Sequence, residues 1–209
     1  MNTKIDENGY RSNVGIVLAN PAGQVLWARR VGGRNTWQFP QGGIKRGETP
    51  EQALFRELYE EVGLRSESVR VVAQTADWLH YDLPQHMRRS NSTPGFVGQK
   101  QKWFLLEMLG DDKDVSVSSS PKPEFDQWRW VSYYYPITQI IDFKREVYRR
   151  ALLKFGPHSF AAGKLTVLNT LRKICSGVCS KNGLCRLRAH AGTTSTRCLG
   201  HRGVQYLPA

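Results

Sequence analysis

Residues 42–64, which run Gly42-x5-Glu48-x7-Arg56-Glu57-Leu58-x-Glu60-Glu61-x-Gly63-Leu64, constrain this chain more than any other stretch. Thr49 offers an N-cap hydroxyl, Pro50 suits a first helical position, and Gln52 completes a Thr-x-x-Gln capping box. Gly63 suits a left-handed stop. The spacing predicts a helix over 50–62. On it Leu54, Leu58 and Val62 share one side and need a core to cover them. Glu57 lies three and four residues before Glu60 and Glu61, so the three carboxylates share another side, one turn apart.

Like charges at that spacing cost an isolated helix on the order of 0.2–0.5 kcal/mol per pair, and more where burial lowers the local dielectric. A divalent cation reverses the sign. All-oxygen donors select hard ions such as Mg2+ or Mn2+, which keep several waters and also bind phosphates. Such an ion activates water as a nucleophile and offsets phosphate charge, so the helix points to metal-dependent phosphoanhydride hydrolysis. Most Glu-rich helices are simply solvated faces. Here the Gly42-Gly43 pair, a further acid at Glu48 and the position of Arg56 directly before the cluster favour a site, with Arg56 orienting a ligand carboxylate.

The flanking sequence alternates strand-like and helix-like segments. Residues 14–19 and 25–30 read as strands of a hairpin turned at Asn20-Pro21-Ala22-Gly23. Residues 36–39 lead into 40–43, read as a loop whose glycines admit close approach of a ligand. Further strands are expected at 69–73, 103–108 and 128–131. A second helix is expected over 143–155, capped by Asp142, with Phe143, Val147, Ala151 and Phe155 as its buried stripe. Segments 82–99 and 110–123 read as long loops. Trp37, Trp103, Trp128 and Trp130 read as packing residues.

With 209 residues, 40% hydrophobic and 23% charged, the chain has the composition of a soluble protein with one well-cored domain. No apolar run approaches the roughly 20 residues that span a bilayer. The opening MNTKIDENGY carries acids and no apolar core, so no secretory signal is expected and the cytoplasm is the expected location. The net charge of +12 is unevenly spread. Residues 161–209 hold eight Lys or Arg and no acid, together with Cys175, Cys179, Cys185 and Cys198. Those cysteine spacings match no paired zinc pattern. The expected organisation is a catalytic domain at 1–157 and a disordered basic tail at 158–209, with one short helical stretch near 165–174.

The 42–64 segment matches, at every specified position, the signature G-x5-E-x7-R-E-U-x-E-E-x-G-U with U aliphatic, and so resembles the Nudix hydrolase family. The resemblance implies an α/β/α sandwich with a mixed sheet and divalent metals on Glu57, Glu60 and Glu61. The implied reaction is hydrolysis of a nucleoside diphosphate linked to a further group. Outside the box, Trp37-Gln38-Phe39-Pro40-Gln41-Gly42-Gly43, Gly98-Gln99-Lys100-Gln101-Lys102-Trp103-Phe104, Phe143-Lys144-Arg145 and the run from Pro123 to Val131 resemble one branch of that family. That branch converts 5′-triphosphate RNA ends to 5′-monophosphates, and the likeness covers about residues 8–155.

By position, the resemblance implies that Glu124 is a further metal-binding or catalytic carboxylate. It likewise implies that Arg11, Arg30 and Thr36 hold the 5′ phosphates and leading nucleotides, while Phe143 and Lys144 flank a base. On residue type alone, Arg11 and Arg30 serve equally as surface solubilisers, Phe143 as core and Glu124 as a surface acid. Two other functions share the box: hydrolysis of a dinucleoside polyphosphate such as diadenosine tetraphosphate, and RNA binding without hydrolysis. In each case the basic tail would add nonspecific nucleic-acid affinity.

Overall fold

In the computed structural model, which describes residues 5–33, 36–88, 95–118 and 120–156, the expected hairpin begins a mixed sheet. Strands β1 (Tyr10–Ala19) and β2 (Gln24–Arg30) run antiparallel. The short strands β3 (Trp37–Gln38) and β4 (Gln41–Gly43) pair with β2 and β1 respectively. Helix α1 (Pro50–Val62) follows, and then β5 (Val69–Gln74), β6 (Leu79–Asp82), β7 (Gly98–Met108), β8 (Phe125–Ser132), α2 (Tyr135–Gln139) and α3 (Asp142–Phe155). Strand β7 lies parallel to β1 in register from Tyr10↔Gly98 to Ala19↔Glu107. Strands β5 and β6 add antiparallel to β7, and β8 adds to β2.

Alternation along the strands divides the core between the two faces. One face presents Val14, Ile16, Leu18, Leu26, Ala28, Phe104 and Leu106 to Leu54, Leu58 and Val62 of α1. On the other, Trp27 and Trp103 meet Phe39 and Tyr148 of α3 in edge-on contacts, with ring centroids 5.0–6.1 Å apart. The sheet between two helices is the layering expected. Among the described residues no helix is long and apolar enough to cross a membrane.

Helix α1 forms as its sequence dictates. Thr49 Oγ1 accepts from the Gln52 N–H at 3.2 Å, and Gln52 Oε1 accepts from the Thr49 N–H at 2.9 Å. Gly63 closes the helix at φ 76°, a left-handed conformation that other residues adopt only with strain.

Several expectations need correction. Residues 41–43 are not loop but strand, because their backbone pairs with Asn13, Val14 and Gly15. The strands expected at 14–19 and 103–108 begin earlier, at Tyr10 and Gly98, since polar residues at the sheet end still complete the ladder. Segment 82–99 accordingly shortens, and β6 and α2 are additional elements. Asp142 does not cap α3: it is the first helical residue and its carboxylate takes Arg145 at 2.5 Å. The buried stripe of α3 starts at Lys144, with Phe143 only half-buried. All described residues belong to one unit, Met1–Lys164. The expected basic tail, its short helix and its cysteines lie outside the described residues.

Candidate active site

Arg56 organises the exposed side of α1. Its Nε and Nη2 grip Glu48 at 2.7 and 2.9 Å, a bidentate fork that an ammonium could not make. Nη2 also donates to Gly43 O at 2.9 Å, while Nη1 donates to Glu57 at 2.6 Å and to Glu60 at 3.3 Å. The fork holds the Glu48 carboxyl below its ordinary range, and Glu48 in turn raises the Arg56 guanidinium.

The three box carboxylates are not equivalent. Glu57 and Glu61 are buried, at 8% and 3% exposure, whereas Glu60 stands at the surface between Arg56 and Lys45. Glu57 fits against the backbone of Gly42, where a Cβ would lie 1.7 Å from its carboxyl carbon. That residue therefore admits close approach of a protein side chain. Glu61 Oε2 accepts from the Gln41 N–H at 2.8 Å. Its Oε1 is buried without a hydrogen-bond partner among the described residues. Burial raises the proton affinity of Glu57, and raises that of Glu61 well above the usual range, with the charge of Glu124 adding to both.

Glu124 arrives from the segment just before β8. Its carbonyl accepts from the Val31 N–H at 2.9 Å, and its carboxylate lies 3.8 Å from Arg30 Nη2. The fold thus brings Glu124 to Glu57 and Glu61, although it is 63 residues beyond the latter in the chain.

No three His, Cys, Asp or Glu side chains among the described residues form a ready coordination array. Arg56 Nη1 instead donates to both Glu57 and Glu60. The donor set still fits a hard divalent cation. Glu57, Glu61 and Glu124 are all oxygen donors that repel one another, and Glu61 keeps a buried oxygen unsatisfied.

A cationic and aromatic wall faces these acids. Lys144, at 8% exposure, donates from Nζ to Gln38 Oε1 at 3.2 Å and lies 5.6 Å from the Tyr81 ring centre. Desolvation lowers its pKa to about 8, and the charge of Arg30 pushes the same way, while Glu124 and Glu61 oppose. Phe143 packs obliquely on Tyr81, centroids 5.8 Å apart, and is half-buried, not core. Burial raises the Tyr81 hydroxyl, against the charges of Arg11 and Arg30. Arg11 Nε is buried without a hydrogen-bond partner among the described residues. Thr36 is exposed and meets Arg30 through the backbone, its carbonyl accepting from the Arg30 N–H at 2.9 Å. Of the four tryptophans expected to pack, Trp103 is buried and Trp128 and Trp130 lie half-buried on the α1-side core. Trp37 instead lies under the Arg129 guanidinium, 4.3 Å from its ring centre.

Sequence reasoning missed Gln38, Gln41 and Tyr81 as parts of the site. The two glutamines lay inside a quoted run, and their polar type at positions the sheet buries was the available signal. Tyr81 sits on the unexpected strand β6, so nothing local pointed to it.

The profile of the NUDIX domain matches residues 9–151. The chain is 60% identical over 156 residues to the RNA pyrophosphohydrolase of Hahella chejuensis, covering 75% of this chain and 96% of that one. It is 57% identical over 153 residues to the RNA pyrophosphohydrolase of Proteus mirabilis, covering 73% and 86%. Among solved structures it superposes on the E. coli dihydroneopterin triphosphate pyrophosphohydrolase with TM-score 0.57 at 18% identity, over 74% of this chain and 99% of that one. A C. elegans Ap4A hydrolase gives TM-score 0.51 at 20% identity, over 69% and 96%. At such identities the superpositions speak for the fold alone.

Proposed function

The chain belongs to the NUDIX family, and on that premise we propose that it is an RNA pyrophosphohydrolase. It removes pyrophosphate from the 5′-triphosphate end of RNA and leaves a 5′-monophosphate, the form that promotes decay of the message. The observation that carries this reading is one group of side chains: the buried acids Glu57 and Glu61 with Glu124 beside them, Lys144 and Arg30 within their electrostatic reach, and Arg11 next to Tyr81. It lies in a chain 60% identical to an enzyme of that activity. The acids suit a metal-assisted attack, and the cations suit a polyanionic chain end.

Glu57, Glu60, Glu61 and Glu124 would hold the divalent cation, Mg2+ or Mn2+ on their hard-oxygen chemistry. When bound, the cation supplies neutralisation of phosphate charge and acidifies the attacking water. The protein's own groups do the rest. One of the carboxylates takes the water proton. Water oxygen bonds to phosphorus, the bridging P–O bond breaks, and pyrophosphate leaves. Arg30, Arg11 and Thr36 hold the phosphates, and Phe143 and Lys144 hold the adjoining base. The cytoplasm is the compartment this reading assigns to it. The basic residues of 161–209 add nonspecific RNA affinity, so a chain ending at Pro157 should keep its kcat but bind RNA with a shallower salt dependence.

Comparing kcat/KM for 5′-triphosphate RNA and for diadenosine tetraphosphate in Mg2+ tests the substrate assignment. Preference for RNA is expected. Preference for the dinucleotide would overturn it.

A further inference from the structure

Strand β4 is only three residues long, yet two of its residues touch buried acids and the third touches the arginine that holds one of them. The Gln41 N–H holds Glu61, the Gly42 backbone accommodates Glu57, and Gly43 O accepts from Arg56. Whatever fixes β4 therefore fixes the site.

Beyond its ladder to β1, β4 has a side-chain anchor in the core. Gln101, near the start of β7 and fully buried, donates from Nε2 to Asn13 Oδ1 at 3.0 Å and to Gln41 Oε1 at 3.3 Å. Asn13 is at 2% exposure and Gln41 at 9%. One amide thus ties together β7, β1 and β4 beside the acid cluster. A hydrophobic residue would pack a sheet interior at lower desolvation cost, so a buried amide triad calls for a reason. Its geometry supplies one. Gln41 is clamped at its side chain by Gln101 and presents its backbone N–H to the acid.

We propose that Gln101, with Asn13, is a positioning residue that sets the Glu61 carboxylate through Gln41, and that it acts on turnover and metal affinity without touching substrate. The inference rests on the reading of Glu61 as a metal-holding or catalytic carboxylate. Outer partners of such ligands typically change metal affinity or activity by about 10–100-fold when removed. Methionine at 101 keeps the volume and removes the donor.

The test is a double-mutant cycle of Gln101→Met and Glu61→Gln, read by kcat and KM on 5′-triphosphate RNA and by Mn2+ affinity from electron paramagnetic resonance. Gln101→Met is expected to lower kcat and Mn2+ affinity by about 10–100-fold with KM within about twofold. In the Glu61→Gln background it should have almost no further effect. Gln41→Ala, which keeps the N–H but loses the clamp, should reproduce the loss and decides the matter if Gln101→Met fails to fold. Equal losses in both backgrounds, or a change confined to KM, would overturn the positioning role. Undiminished activity of Glu61→Gln alone would instead overturn the reading of Glu61.

Discussion

Arg56 and Glu57, neighbours in sequence, are joined side chain to side chain at 2.6 Å, so the arginine serves as counter-cation to the acid it precedes. The same guanidinium holds Glu48 in a fork and donates to Glu60 at 3.3 Å.

Arg56→Lys keeps the charge and loses the fork. It should lower stability by about 1.5–3 kcal/mol, the range for hydrogen bonds to charged groups, and kcat by about 10–100-fold. Thermal melting and steady-state kinetics check both, and an unchanged kcat would rule out a role for the fork in orienting Glu57.

Glu57 and Glu61 have proton affinities raised by burial, so each contributes stability that is full below the unfolded value near 4.5 and lost as pH rises through the raised folded value. Metal-free protein should therefore lose Tm as pH rises from about 4.5 towards neutrality, more than Glu61→Gln does, and saturating Mg2+ should restore it. Acids with lowered pKa, such as Glu48, titrate below this window and act in the opposite sense. A metal-free Tm profile identical in both proteins would contradict the assignment.

Lys144 is charged below about pH 8 and neutral above it. Its charge faces a polyanion, so kcat/KM for triphosphate RNA should decline as pH passes about 8. Lys144→Met should reduce kcat/KM about tenfold or more and flatten that limb. Parallel profiles for the two proteins would remove Lys144 from phosphate or base binding.

Gly42→Ala would place a methyl group 1.7 Å from the Glu57 carboxyl carbon. The far end of a side chain can swing away, so the expected damage is catalytic and not structural: activity falls at least tenfold while Tm shifts by only a few degrees. A large Tm loss with retained kcat per folded molecule would show that the close approach serves packing alone.

Helix α1 was legible in the sequence because every signal for it is local: the Thr49–Gln52 box, the Gly63 stop and the spacing of Glu57, Glu60 and Glu61 lie within 15 residues. What local pattern could not supply was burial. The identical residue type at 57, 60 and 61 meets three environments, decided by Gly42, Arg56 and the Gln41 N–H. Phe143 leaves the expected stripe for the same reason. The apolar stripe had assigned Phe143 to the core, but the helix face that meets Gln38 and Tyr81 carries Lys144. Strand β6 was missed because Leu79–Asp82 is short and its pairing partner is β7, many residues away.

The most direct test is a single-turnover measurement with 5′-triphosphate RNA in Mg2+, comparing the wild-type protein with Glu57→Gln at equal folded concentration. Release of pyrophosphate with a 5′-monophosphate end by the wild type, and a rate at least a hundredfold lower for the variant, is the predicted result. Equal rates for the two proteins would contradict the claim that the buried acids of α1 form the hydrolytic centre.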